Sequence, residues 1–163
     1  MSTRCNIIVK SKSEEVILYH HHDGYPEGVG VALLNKVTPL LKDNRYSNDV
    51  EDIVNALIKD KDDDEYEYTT ALHGDIEYIY EIDVDQKTIK CFEYNYNTDS
   101  KGDEISLDKF WVVTRSDQGN RDTWYLSKRD GSIYTDDDGN TIYFTSCEDA
   151  RDTASELNYA NNL

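Results

Sequence analysis

Apolar and polar residues alternate along much of the chain, and the period changes from segment to segment. Near the start, Cys5, Ile7 and Val9 alternate with Asn6, Ile8 and Lys10, which predicts a strand. Lys10 to Ser13 supply a polar turn, and Val16 to Tyr19 predict a second strand. The Gly- and Pro-containing stretch from His20 to Gly30 reads as a loop. A helix is expected over Val29 to Val37, ended or kinked by Pro39. Val50, Ile53, Val54, Leu57 and Ile58 fall at helical spacing and predict a second helix, with Asn48 and Glu51 as its capping box. From Asp75 to Asp85 the period returns to two. Ile76, Tyr78, Tyr80, Ile82 and Val84 lie on one side, and Asp75, Glu77, Glu81, Asp83 and Asp85 on the other. That pattern predicts one strand with an apolar face and a carboxylate face.

Lys87 to Tyr96 should return antiparallel to this strand, with the turn near Asp85 and Gln86. Residues 97–109 are polar and read as a loop, and Phe110 to Val113 as a short buried strand. Trp124 to Lys128 and Thr141 to Phe144 predict two more strands, separated by turns at Asp130-Gly131 and Asp138-Gly139-Asn140. Ser146 caps a last helix in which Cys147, Ala150, Ala154 and Leu157 share a face. The expected fold is α+β: an antiparallel sheet covered by two helices, with a C-terminal β-β-α unit. The expected division is 1–115 for the first domain and 116–163 for the β-β-α unit.

Charge changes this picture more than any other bulk property. The chain has 163 residues, 17 basic and 34 acidic, for a net charge of −17. Residues 1–59 are nearly balanced, with 7 basic and 8 acidic, whereas residues 60–110 hold 5 and 16. Such a chain repels phosphates, which argues against direct contact with nucleic acid or an anionic membrane. No apolar stretch is long enough to span a bilayer, and residues 1–6 lack a secretory signal's apolar run. Cys5, Cys91 and Cys147 are odd in number and widely spaced, so reduced thiols and a cytoplasmic location are expected, in host cytoplasm if the chain is phage-encoded. The 13 tyrosines enlarge the core that the low apolar content would otherwise permit.

Three stretches carry candidate chemistry. The first is acidic: Asp62, Asp63, Asp64, Glu65 and Glu67, followed by Asp75, Glu77, Glu81, Asp83 and Asp85. Carboxylates two residues apart on a strand lie roughly 6.8 Å apart. Duplex DNA shows one charge per roughly 1.7 Å of axis. The array therefore reads as a phosphate-like surface for a basic partner, with Glu77, Glu81 and Asp83 facing solvent and Tyr78, Tyr80 and Ile82 packed inward. A solvated face that keeps the protein soluble is the simpler reading.

The second stretch is the loop with His20, His22, Asp23, Gly24, Tyr25, Gly28 and Gly30. His20, His22 and Asp23 have ligand chemistry for a transition metal, with His73 or a distant carboxylate to complete the set. Gly28-Val29-Gly30 before a helix suggests a phosphate cradle, although no complete phosphate-binding motif is present. The simpler reading is a tight connector whose glycines supply positive φ. The third stretch, Asp136 to Asn140, fails as a calcium loop, because Tyr134 and Thr145 would occupy the two acidic end positions. Local spacing selects no Ser-His-Asp or Cys-His-Asn set.

Ser2-Thr3-Arg4, followed by His21-His22-Asp23-Gly24-Tyr25-Pro26-Glu27-Gly28-Val29-Gly30, resembles a family of small uncharacterised phage and bacterial proteins. The resemblance covers residues 2–42, implies a phage or mobile-element origin, and transfers no catalytic residue. The expected function is a non-enzymatic acidic protein that needs no cofactor. It would occlude a basic, nucleic-acid-binding host defence protein. The alternative is a metal- or phosphate-ligand-binding protein, or an enzyme, that uses His20 to Gly30.

Overall fold

The computed structural model describes residues 2–43, 49–59, 66–116 and 122–160. The fold is α+β and separates into two compact units, Met1–Ser106 and Leu107–Leu163. The second unit thus begins ahead of the expected 115/116 division, because the strand at 112–116 pairs with the one at 123–127.

In the first unit, β1 (Cys5–Lys10), β2 (Glu15–His20), β3 (Tyr66–Thr69), β4 (Tyr78–Asp83), β5 (Thr88–Asn95) and β6 (Ser100–Ile105) form one sheet. Its strand order is β3-β2-β1-β4-β5-β6. The sheet is mixed rather than wholly antiparallel. β1 and β4 run parallel because two helices and β3 intervene in the chain and carry it back across the sheet. The stretch expected as a 97–109 loop contains β6, which pairs with β5 through a register shift between Phe92 and Tyr94.

Helices α1 (Val31–Lys42) and α2 (Val50–Ile58) pack against the sheet. α1 starts later than expected because Pro26–Gly30 forms a π-helical turn that leads straight into it. Pro39 lies inside α1 and does not end it. Asp49, not Asn48, caps α2. Its side chain accepts from the Asp52 N–H at 2.9 Å, and Asp52 returns the bond at 3.2 Å. Asn48 lies outside the described residues.

Strand register places Cys5, Ile7, Leu18, Tyr80, Ile82 and Cys91 on one face, all fully buried. Leu33, Leu34 and Val37 of α1 and Ile53 and Leu57 of α2 supply buried helical stripes. The opposite face has its own core of Ile8, Tyr19, Ile76, Ile79 and Tyr94, flanked by Ile17, Leu72 and Phe92. Buried Asn6 secures the 70–77 segment there. Its Oδ1 accepts from the His73 N–H at 2.9 Å, and its Nδ2 donates to the Leu18 carbonyl at 2.9 Å. The sheet centre is therefore closed on both sides.

The second unit is the β-β-α element of β7 (Val112–Ser116), β8 (Thr123–Ser127) and α3 (Cys147–Ala160). Residues 141–144 are not a strand. They reach β8 only through a bridge between Trp124 and Phe144, because the turns at 128–132 and 136–140 interrupt the pairing. The small residues Ala150 and Ala154 let α3 approach Leu126, with Trp111, Trp124, Phe144 and Leu157 around them. Ser146 caps α3 through its Oγ, which accepts from the Asp149 N–H at 3.3 Å. Asn158, fully buried, accepts from the Trp111 N–H at 2.7 Å and donates to the Trp111 carbonyl at 2.9 Å. Asn158→Ala removes both partners of a part-buried peptide group. We expect it to destabilise this unit by about 1–3 kcal/mol in urea unfolding followed by tryptophan fluorescence. An unchanged midpoint would show that water replaces the amide.

Candidate functional site

The acidic array does not form one outward-facing row. Asp62, Asp63, Asp64 and Glu65 lie outside the described residues. Glu67 is exposed on β3, with a carboxylate oxygen 3.2 Å from His21 Nε2. Asp75 precedes β4 and accepts from Arg4 at 3.1 Å and from the Tyr19 hydroxyl at 3.0 Å. Glu77 is exposed, but it also lies ahead of the strand. Its N–H donates to the Arg4 carbonyl, and its carbonyl accepts from the Tyr94 N–H. Asp83 Oδ1 accepts from the Asp85 and Gln86 N–H groups and so shapes the β4–β5 turn. Asp85 Oδ2 accepts from the Lys12 N–H at 2.7 Å.

Glu81 departs furthest from expectation. Its side chain is 11% exposed and lies 2.8 Å from Lys10 and 2.5 Å from Lys101. Burial alone would raise its carboxyl pKa, but the hydrogen bonds and charges of the two lysines outweigh burial and hold it below the ordinary value. The expected solvent-facing trio of Glu77, Glu81 and Asp83 therefore fails at Glu81, and Tyr78 is only half-buried. The physical reason is Ile79. It shares the Glu81 side of β4 and is fully buried, so that side also belongs to a core.

The His20 to Gly30 segment is a packed connector. His20 ends β2, is 6% exposed, and tilts against the Tyr66 ring at 4.7 Å. His22 is exposed, with Nδ1 2.8 Å from Ser2 Oγ. Asp23 adopts φ 51° and accepts from the Tyr25 hydroxyl at 3.2 Å. Gly24 donates its N–H to the Thr3 carbonyl at 2.9 Å, and its own carbonyl accepts from the buried Tyr80 hydroxyl at 2.7 Å.

None of the loop glycines has positive φ. A Cβ on Gly24 would lie 3.0 Å from the Arg4 and Cys5 backbone, and one on Gly28 would lie 2.4 Å from the Asp23 carbonyl oxygen. These glycines are required for close approach, not for left-handed backbone. Tyr80→Phe should cost about 1 kcal/mol in chemical unfolding, because the Gly24 carbonyl loses a buried donor. Full retention of stability would mean that this bond adds nothing net.

This geometry also removes the expected phosphate cradle. The Val31 N–H is bonded to carbonyls of the preceding turn, and the Gly28 and Val29 N–H groups donate to Tyr25 and Asp23. Among the described residues, no group of three or more His, Cys, Asp or Glu is placed to hold one metal ion.

The fold assembles a different cluster, whose core is His21, His73 and Tyr19. Tyr19 stacks on His73 at 3.9 Å and meets His21 edge-on at 4.5 Å. His73 Nε2 lies 3.1 Å from Thr69 Oγ1, and its Nδ1 lies 3.9 Å from Asp75. Burial, then the hydrogen bond to Asp75, pushes the Tyr19 phenol up to about 12, so it stays protonated at neutral pH. The named polar atoms bond one another, and the cluster fastens β3 and the 70–77 segment to β2. Sequence reasoning singled out His20 and His22. The residue that meets His73 is His21, on the same side of the chain as Tyr19.

Elsewhere, Ser11, Lys12, Glu14, Asp49, Val84 and Asp85 line an open polar groove of about 410 Å³ at the other end of the sheet. Burial pushes the Cys91 thiol up to about 12 and raises Cys5 as well, so neither is a nucleophile at neutral pH. Among the described residues, no helix is long and apolar enough to cross a membrane.

The chain matches no family model, no curated protein and no solved structure.

Proposed function

We propose that the chain is a non-enzymatic binding protein whose anionic surface receives a basic partner. The supporting observation is the distribution of exposed charge. Among the described residues of the first unit, 14 carboxylate side chains are exposed against 6 lysines, and no arginine is. One of those lysines, Lys101, is already bound to Glu81. The surplus includes Glu14, Glu15, Glu51, Asp52, Glu77, Glu93, Asp103 and Glu104, so it is spread wider than the Asp75 to Asp85 stretch. Such a surface attracts Lys- and Arg-rich grooves with fast, salt-sensitive association. A nucleic-acid-binding host protein, and within that class the defence protein suggested by the resemblance of residues 2–42, has the required chemistry.

The test is capture of host proteins on untagged, immobilised protein, followed by competition. The expected partner is basic, leaves as salt is raised, and is displaced by duplex DNA that occupies the same groove. A partner whose retention ignores both salt and DNA would sink the proposal.

A further inference from the structure

The sheet has two edges, and they are not alike. β6 is blunted. A register shift interrupts its pairing with β5, and Lys101 is drawn inward over the Phe92 ring and onto Glu81. Bulges and inward charges are devices by which an edge strand avoids further pairing. β3 has neither. It pairs with β2 in continuous register from Ile17–Thr69 to His20–Tyr66, and contains no proline. Among the described residues, no strand pairs with its other side. Every second residue of such a strand points its N–H and C=O away from the sheet.

Two side chains on this edge are open as well. Tyr68 is 65% exposed and Glu67 63% exposed. Tyr66 is buried against His20, and His21 and His73 hold Glu67 and Thr69 in place, so the edge is preorganised. Residues 60–67 contain six carboxylates and one lysine. By chain length alone, Asp62 to Glu65 lie within about 15 Å of Tyr66. This charge repels a second copy of the same edge and favours a cationic strand.

We propose that β3 is a docking edge for an extended, basic segment of the partner, which would add to the sheet as a seventh strand. Main-chain hydrogen bonds to β3 would supply affinity. Alternate Lys or Arg side chains would meet the carboxylates, and Tyr68 would provide an uncharged anchor. This rests on the proposed function and assigns it a place on the molecule.

The test titrates the full chain with a Lys-Val-Lys-Val-Lys-Val-Lys peptide. The control is the same peptide N-methylated at alternate residues on one edge, which keeps the charge and removes the pairing N–H groups. Affinity is read by calorimetry, and the β3 amides by hydrogen exchange. The unmodified peptide should slow exchange at Glu67–Thr69, and methylation should weaken binding about tenfold or more. Glu67→Lys, at an exposed position, should weaken it as well. Equal binding of both peptides with unchanged β3 exchange would overturn the docking edge while leaving the anionic-surface reading intact. Failure of either peptide to bind at low salt would overturn both. Protection of β3 that grows with protein concentration alone would show self-pairing, and would overturn the basic-segment assignment.

Discussion

Gly28→Ala is expected to destabilise the first unit by about 2–4 kcal/mol, the largest single-methyl effect in the chain. The added Cβ would stand 2.4 Å from the Asp23 carbonyl oxygen, with Asp23 Cβ and Tyr25 Cε2 both at 3.2 Å. The carbonyl cannot easily retreat, because it accepts from the Val29 N–H at 2.9 Å. Asp23 already holds φ 51°, a conformation that non-glycine residues adopt at a cost. Relief therefore requires losing that bond or unwinding the π-helical turn that starts α1. Next to it, the Gly24 N–H and C=O tie the same segment to Thr3 and Tyr80, so the disturbance reaches β1 and β4. Gly74→Ala is the internal control. It has no atom within 4 Å of its added Cβ and no positive φ, and it should be near neutral. Thermal unfolding of both variants decides the matter. A Gly28→Ala midpoint equal to wild type would mean that the loop rearranges freely and is not the tight connector described above.

The elements that could be read from the sequence are those in which one periodic signal dominates. α2 shows its stripe because Val50, Ile53, Val54 and Leu57 are buried while Glu51, Asp52 and Asn55 face solvent. The β4–β5 hairpin was legible for a similar reason: apolar alternation on both arms and a turn at 84–87, where Lys87 takes φ 56°. The carboxylate face of β4 was misread through its one exception. Ile79 sits among the acidic positions, and that single apolar residue marks a second core whose other members, Ile8, Tyr19 and Tyr94, come from three other strands. A central strand buried on both sides cannot assign its charges from its own alternation, and Glu81 instead found two lysines from β1 and β6.

β6 was missed because Ser100 to Glu104 are polar, as an edge strand permits; its pairing with β5 is set across the sheet. The clasp of Tyr19, His21, His73 and Asp75 joins positions more than 50 residues apart, through a 70–77 segment with no repeating pattern. Local spacing could only draw attention to neighbouring histidines.

Glu81→Gln should cost about 1–3 kcal/mol at pH 7, with a pH dependence that identifies its cause. The upper end of the range for a broken buried pair does not apply, because Lys10 and Lys101 are 31% and 41% exposed and can recover water once the carboxylate is gone. The lower end does not apply either. Glu81 is largely enclosed, receives two charge-assisted bonds, and pins edge strand β6 across β5 onto β4. In the folded chain its carboxyl lies below its ordinary value of 4.5, so the folded state releases the proton more readily than the unfolded state. Its contribution is therefore complete above that ordinary value and is lost as pH falls through the folded value. Lys10 is shifted the other way, above 10.5, with the Glu81 hydrogen bond as the largest cause. Its share is intact below 10.5 and fades only as pH rises through the folded value. The stability gap between wild type and Glu81→Gln should thus be flat from about pH 6 to 9, close in acid, and narrow again in strong alkali. Hydrogen exchange should speed up first at β6, whose Lys101 anchor is released, before β1 is affected. A gap that persists unchanged at acidic pH would assign the loss to altered packing around the amide, not to the ion pairs.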